Sequence, residues 1–138
     1  MKVKDAMAKT ISTATKNERV SDVAKKMKQE DAGFMPVVEN GGRLIGVVTD
    51  RDIVIRCVAE GHDPRTDTVE HCMTKTAVTV SPGDDIQEAA RKMEGDEIRR
   101  LAVIDNGRVV GVLSHGNLVQ ATRDKTAEEV TEGVTRGP

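Results

Sequence analysis

The sequence has almost no aromatic residues: Phe34 is the only one, and the 138 residues include no tryptophan or tyrosine. Proteins that bind single-stranded nucleic acid usually stack the bases on several aromatic side chains. A formal net charge of −2, with both signs interspersed along the chain, also provides no general basic surface for a phosphate backbone. Both features argue against nucleic acid as a partner.

Long apolar runs and a cysteine framework are missing as well. Residues 1–12 contain no continuous apolar stretch typical of a secretory signal, and no segment approaches the length that crosses a bilayer. The only two cysteines, Cys57 and Cys72, fit a reducing compartment. Their spacing matches neither a disulfide framework nor a zinc site. We therefore expect a cytoplasmic protein with no membrane partner and no metal.

What the sequence does contain is an internal repeat. MAKTISTATKNERVSDVAKKM, from Met7, aligns with MTKTAVTVSPGDDIQEAARKM, from Met73. Further on, VVENGGRLIGVVTDRD aligns with VIDNGRVVGVLSHGN once the extra Gly42 is allowed for. Similarity of this length indicates one supersecondary unit used twice. A unit of about 50 residues buries too little surface alone, so we expect two copies packed about a pseudo-twofold axis with a ligand-sized cleft between them.

Each copy carries the same pattern of predicted elements. A short extended stretch precedes a helix with apolar residues at i, i+3, i+4 and i+7; two apolar runs then flank an Asn-Gly turn before a second helix. This β-α-β-β-α order predicts a mixed α+β fold. We expect residues 1–66 to form the first copy with a leader helix and linker, and residues 67–123 to form the second. Residues 124–138 are predicted to be a flexible tail, because they lack a dense apolar pattern.

The junction between the hairpin and the second helix is the candidate functional motif. It reads GVVTDRD from Gly46 and GVLSHGN from Gly111. A hydroxyl residue followed three positions later by an acidic or amide residue is close to a capping box, which only satisfies free N–H groups at the helix start. A helix N-terminus also suits phosphate, and a carboxylate there can accept hydrogen bonds from a ribose diol. The residues alone leave both interpretations open.

With this motif present in both copies, the sequence resembles a cystathionine-β-synthase (CBS) domain pair. The resemblance rests on GVVTDRDI in the first copy and IRRLAVIDNGRVVGVLS in the second, and it covers about residues 5–122. It implies a non-enzymatic regulatory module that binds an adenosine-containing ligand, such as AMP, ADP, ATP, S-adenosylmethionine or an NAD-type dinucleotide. It also implies a role in energy sensing, a homodimer whose four CBS units form a disc, and a separate, unidentified target protein.

The resemblance also implies which residues form two clefts. In the first cleft Thr49 and Asp52 would contact ribose and phosphate, with Asp52 facing the groove rather than capping its helix, and two apolar residues would sandwich adenine. Arg99 and Arg100 are candidates for phosphate contact, and we favour this role for at least one of them over a solvated pair at a helix end. The predicted residues are Thr49, Asp52, Val78, Ile98, Arg99, Arg100 and Ala102 in the first cleft, and Ser12, Phe34, Met35, Pro36, Ser114 and Asn117 in the second.

The two predicted clefts differ in charge. Asn117 lacks the charge of Asp52, and Gly33 with Phe34 stands opposite it where the first cleft has two arginines. We therefore expect the second cleft to bind more weakly, to prefer a neutral or nucleoside-like group, or to stand empty. A dinucleotide reaching across from the first cleft is the alternative.

Two other functional classes stay open at this point. The chain could be an interaction or assembly module whose clefts bind nothing. Less favoured is a metal- or cysteine-dependent enzyme that uses Cys57, Cys72 and the histidines, because no nucleophile with an adjacent base can be recognised in the sequence. No catalytic residue is therefore predicted.

Overall fold

A computed structural model describes residues 1–96 and 98–124 of the chain. The predicted flexible tail falls outside this part, apart from Asp124. The elements in chain order are α1 (Val3–Ala6), α2 (Val20–Glu30), β1 (Phe34–Glu39), β2 (Arg43–Thr49), α3 (Asp50–Asp52, continued by a π-helix, Ile53–Val58), a 3₁₀ turn (Val69–His71), β3 (Thr79–Val80), α4 (Ile86–Gly95), β4 (Arg100–Asp105), β5 (Arg108–Ser114) and α5 (residues 115–124).

The five strands form one mixed sheet in the order β1-β2-β5-β4-β3. The two hairpins are antiparallel, and β3 runs parallel to β4. The first copy has a single-residue counterpart of β3, because Ala14 bridges Val37 in parallel. Strands β2 and β5 pair at their starts through Arg43 and Arg108, so the pseudo-twofold axis passes between the two hairpins.

The predicted helices and hairpins are confirmed, and their sequence patterns explain them. The apolar stripe of α2 is buried at Val20, Val23 and Met27, as expected for an amphipathic helix lying on a sheet. Both hairpin turns place Asn-Gly at positive φ (Asn40 at 38°, Asn106 at 53°), the conformation that favours this dipeptide in tight turns. The mixed α+β fold follows from these units.

The leader segments cross over between the copies. Val3, in α1, is fully buried in the core of the second copy, whereas Val69, Cys72 and Met73 belong to the core of the first. Each half is therefore completed by the segment that precedes the other half in sequence. The division of the chain at residue 66 stays a prediction, but the packing does not follow chain order.

Two glycines in the repeated motif make this exchange possible. Val47 and Thr74 exchange two backbone hydrogen bonds of 2.9 and 2.8 Å, so the second leader pairs with β2. A Cβ atom on the neighbouring Gly46 would lie 2.8 Å from the carbonyl oxygen of Thr74. Gly111 meets the carbonyl oxygen of Ala8 at the same distance. Both glycines are needed because a backbone passes directly over them.

None of the helices in the described part of the chain is long and apolar enough to cross a membrane.

Candidate functional site

An open cleft of about 440 Å³ lies between the end of the first hairpin and the segment that precedes the second hairpin. It brings together residues from distant parts of the sequence. Six of the seven residues predicted for the first cleft line it, namely Thr49, Asp52, Val78, Ile98, Arg99 and Arg100. Ala102 does not line it, because its side chain is completely buried in the sheet.

Thr49 and Asp52 form a reciprocal capping box at the start of α3. The Asp52 N–H donates to Thr49 Oγ1 over 3.1 Å, and the Thr49 N–H donates to Asp52 Oδ2 over 3.0 Å. The expectation that Asp52 faces the groove is met, but the expectation that it does not cap its helix is wrong. The half-buried side chain does both: it lines the cleft while Oδ2 caps the helix, and Oδ1 accepts no hydrogen bond from the described residues.

The charges of the first cleft are mixed but favour an anion. Three arginines line it, Arg51, Arg99 and Arg100, together with the carboxylates of Asp50 and Asp52. Arg99 is exposed and Arg100 is half-buried, so both can reorient towards a ligand. Guanidinium groups offer a planar pair of N–H donors that matches phosphate oxygens.

The cleft also has an apolar wall. The half-buried side chains of Ala77, Val78 and Ile98 form it, and the more buried Val47 lies at its base. An apolar wall combined with a few polar groups is the usual composition of a small-molecule site. Such a wall suits the flat face of a heteroaromatic base.

Sequence reasoning missed part of this cleft. Asp50, Thr74 and Thr76 line it, and the two threonines come from the exchanged leader. Gly33 also lines it, and a Cβ atom there would lie 2.4 Å from Asp50 Oδ2, so a larger residue would require the Asp50 side chain to move. The Asp50 N–H donates to the Gly33 carbonyl over 3.0 Å. Thr76 aligns with Thr10, which lines the second cleft, so the repeat places a threonine in both clefts.

A second cleft of about 250 Å³ lies at the pseudo-symmetric position. Of its six predicted residues, five line it: Ser12, Phe34, Pro36, Ser114 and Asn117. Met35 points into the protein core and is almost completely buried. Ser114 and Asn117 repeat the capping box, with the Asn117 N–H donating to Ser114 Oγ over 3.0 Å and the Ser114 N–H donating to Asn117 Oδ1 over 2.9 Å.

One acidic residue in the second cleft was not predicted. Glu30, the last residue of α2, lines this cleft and accepts a hydrogen bond from the hydroxyl of Ser12. Phe34 and Arg100 line both clefts. These two residues therefore form a wall that the clefts share.

Apart from the clefts, the linker holds a cluster of titratable side chains. The carboxylate of Asp67 lies between two imidazoles: Oδ2 is 3.1 Å from His62 Nδ1, and Oδ1 contacts His71 Nδ1. The hydrogen bond with His71 is the main cause that lowers the pKa of Asp67. The described residues contain no group of three His, Cys, Asp or Glu side chains placed to hold a metal ion.

The two thiols beside this cluster are poor nucleophile candidates. Cys57 and Cys72 are both completely buried. Burial raises the pKa of Cys57 and raises that of Cys72 to about 11. A thiol with such a pKa is protonated near neutral pH, and the thiolate is the reactive form.

Comparison with known proteins identifies one family. The family model for the CBS domain matches residues 3–58 and again residues 69–124. A CBS domain-containing protein of Bacillus subtilis, YhcV, is 37% identical over 116 residues, which cover 84% of this chain and 81% of that protein. Hypoxic response protein 1 of Mycobacterium tuberculosis is 32% identical over 117 residues, covering 85% of this chain and 82% of that protein.

Two solved structures show the same architecture. Hypoxic Response Protein I, described with two coordinated zinc ions, superposes with a TM-score of 0.81 at 31% identity, covering 87% of this chain and 98% of that one. The CBS domain pair of protein MJ0100, in complex with 5′-methylthioadenosine and S-adenosyl-L-methionine, gives 0.80 at 27% identity, covering 88% and 99%.

Proposed function

Because the chain belongs to the CBS domain family, we propose that it is a regulatory module that binds an adenine nucleotide in its first cleft and signals to a separate protein. The observation that carries the proposal is the composition of that cleft. It combines an apolar wall at Val78 and Ile98, guanidinium groups at Arg99 and Arg100, and the carboxylate of Asp52 beside a helix start. These groups complement a base, a phosphate and a ribose, respectively.

The proposed signalling depends on the fact that both copies contribute residues to the cleft. Its walls come from β2 and α3 of one copy and from the segments before β3 and β4 of the other. A ligand that touches both copies stabilises one relative position of the two halves, provided that it binds this position more tightly than others. AMP, ADP, ATP, S-adenosylmethionine and NAD-type dinucleotides all carry the adenosine group for which the cleft is suited, and a role in energy sensing corresponds to the first three.

The proposal includes a homodimer. Three apolar side chains of the π-helical segment that continues α3 are strongly exposed: Val54 at 58%, Ile55 at 43% and Val58 at 57%. A contiguous apolar face of this kind is typical of an interaction surface, and a second copy would bury it in a four-CBS disc. Light scattering of the wild type and of Val58→Glu tests this, with a dimer expected for the first and a monomer for the second.

Calorimetry on the full chain, refolded or washed free of co-purified ligand, tests nucleotide binding. AMP, ATP, S-adenosylmethionine and NAD are titrated separately, and saturable binding of at least one is expected. The double variant Arg99→Gln/Arg100→Gln should lose most of the affinity for the phosphorylated ligands. Arg43→Gln/Arg108→Gln is the matched control, because it removes the same charge at the opposite ends of β2 and β5.

Two results would contradict the proposal. If none of the ligands binds, an assembly module without a ligand becomes the better explanation. If both double variants lose affinity equally, only the overall charge matters and the cleft is not the site. The proposed module is not an enzyme, and the raised thiol pKa values of Cys57 and Cys72 argue against a cysteine nucleophile. Metal analysis of the purified protein, together with the fold of a Cys57→Ser/Cys72→Ser variant, tests the enzymatic alternative.

A further inference from the structure

The second cleft carries a carboxylate, Glu30, at a position whose repeat equivalent does not line the first cleft, where the carboxylates are those of Asp50 and Asp52. Glu30 follows Met27 by three residues and matches Asp96, which follows Met93 by three. Asp96 is exposed and does not line the first cleft. Glu30 is also exposed, but it lines the second cleft, where the hydroxyl of Ser12 donates a hydrogen bond to its carboxylate.

The positive charge of the second cleft is shared. Arg100 is the only cationic side chain among the described residues that line this cleft, and it lines the first cleft as well. A phosphate bound beside Arg99 and Arg51 in the first cleft would attract the Arg100 guanidinium towards itself. The second cleft would then retain Glu30 as its only formal charge.

The walls of the second cleft are also more polar than those of the first. The repeat alignment places Ser12 where the first cleft has Val78, and Ala32 where it has Ile98. Together with Ser114 and Asn117, the lining therefore offers hydroxyl, amide and carboxylate groups. These groups can exchange hydrogen bonds with sugar hydroxyls, and the carboxylate accepts but cannot donate.

We propose that Glu30 makes the second cleft reject phosphate, so that this cleft takes an unphosphorylated nucleoside while the first cleft takes a nucleotide. The exposed carboxylate of Glu30 and a phosphate placed together in a cleft of about 250 Å³ repel each other across the protein surface, whereas a ribose hydroxyl can donate to Glu30 in place of Ser12. The inference rests on the proposed function of the first cleft. One chain would then respond to the concentrations of two different ligands, rather than to the concentration of one ligand at two sites.

The shared arginine couples the two sites. A nucleotide in the first cleft recruits Arg100 and thereby strengthens the rejection of phosphate by the second cleft. Thermodynamic linkage makes this effect mutual, so a phosphate forced into the second cleft would weaken nucleotide binding in the first. An uncharged nucleoside escapes this penalty because it does not need the guanidinium.

Calorimetric titration of the ligand-free full chain with AMP and with adenosine tests the proposal. The wild type should bind one AMP per chain, and the AMP-saturated protein should bind one adenosine. Glu30→Gln keeps an oxygen that can accept from Ser12 but removes the charge. In this variant AMP should bind the second cleft at least about tenfold more tightly, as expected when a nearby like charge is removed at the protein surface, and should therefore show a second binding event.

The matched control is Asp31→Asn, which removes the same charge one residue further along and outside both clefts. Asp31 has a φ of 51°, a conformation that asparagine tolerates well. The Asp31→Asn variant should therefore bind AMP as the wild type does. Two equivalent AMP sites in the wild type would overturn the inference and leave the proposed function intact. The same holds if Glu30→Gln behaves like Asp31→Asn, or if adenosine fails to bind the AMP-saturated protein. Absence of any AMP binding would overturn both.

Discussion

The two clefts have the same backbone arrangement, but different side chains line them. Both begin at a capping box that follows a hairpin, and in both a leader segment from the other half passes over a glycine. However, Asp52 becomes Asn117, Val78 becomes Ser12, and Arg99 becomes Gly33 when one cleft is mapped onto the other. The repeated residues therefore form the scaffold, whereas the residues that differ between the copies set the charge and polarity of each cleft.

The strongest test of this difference replaces Asp52 of the first cleft with asparagine, the residue that Asn117 provides in the second cleft. Asp52→Asn should preserve the capping box, because an amide oxygen can accept from the Thr49 N–H as Asn117 does from Ser114. Affinity for AMP should nevertheless fall by about 1.5–3 kcal/mol, the usual contribution of a hydrogen bond to a charged group. Calorimetry measures the affinity, and thermal unfolding checks that the melting temperature is unchanged.

Asn117→Ala is the companion variant, and it should change AMP affinity much less. Equal losses at Asp52→Asn and Asn117→Ala would contradict the asymmetry of the clefts. A lower melting temperature for Asp52→Asn alone would mean that the carboxylate serves the helix more than the ligand.

Substitutions in the backbone scaffold that the two copies share should affect stability equally, whereas the substitutions in the clefts should affect AMP affinity unequally. Gly46→Ala and Gly111→Ala each place a Cβ atom 2.8 Å from a backbone carbonyl oxygen of the exchanged leader. Overpacking of this kind usually lowers the free energy of unfolding by about 1–3 kcal/mol, and we expect similar values for both variants. Urea denaturation measures them; a large loss at one glycine only would show that the two crossings are not equivalent.

The smallest expected effect concerns the linker, which has no counterpart in the second half. Asp67→Asn removes the carboxylate that lies between His62 and His71, and it should lower the free energy of unfolding at pH 7 by about 1 kcal/mol. The pKa of Asp67 is lowered in the folded state. Its contribution is therefore present above the ordinary aspartate pKa and lost as the pH falls below about 4.

Urea denaturation from pH 7 to pH 3 checks this prediction. The wild type should lose more stability on acidification than Asp67→Asn does. His62→Gln/His71→Gln is the matched control that keeps the carboxylate and removes its partners. If acid destabilises the wild type and Asp67→Asn by the same amount, other carboxylates account for the whole pH dependence.

The sequence predicted the fold well because each local signal was repeated. The apolar stripe at Val20, Val23 and Met27 and the Asn-Gly turns each occur in both copies, so a chance match in one copy is tested by the other. Most of the side chains expected in the clefts also line them. The reason is that hairpin ends and helix starts are fixed by the same local pattern as the elements themselves.

The remaining features depend on packing that no local pattern contains. The exchange of α1 and the 69–73 segment between the cores requires the relative position of the two halves. Glu30 could not be recognised as a cleft residue, because its match Asp96 has the same charge and a different environment. Asp52 showed that a cap and a cleft residue can be one side chain, whereas sequence reasoning treated them as alternatives.

Because the two leader segments are exchanged, each half of the molecule is held together by a segment from the other half of the chain. Val3 is held by a hydrogen bond of 2.9 Å from its N–H to the carbonyl of Asp84, and the Ile86 N–H donates to Met1. Deletion of the first six residues would therefore leave a cavity in the core of the second copy, which is synthesised last, and would leave the core of the first copy intact. The core of the first half is complete once residue 73 has been synthesised, whereas the core of the second half also needs residues up to Leu118, so the first half is expected to fold first.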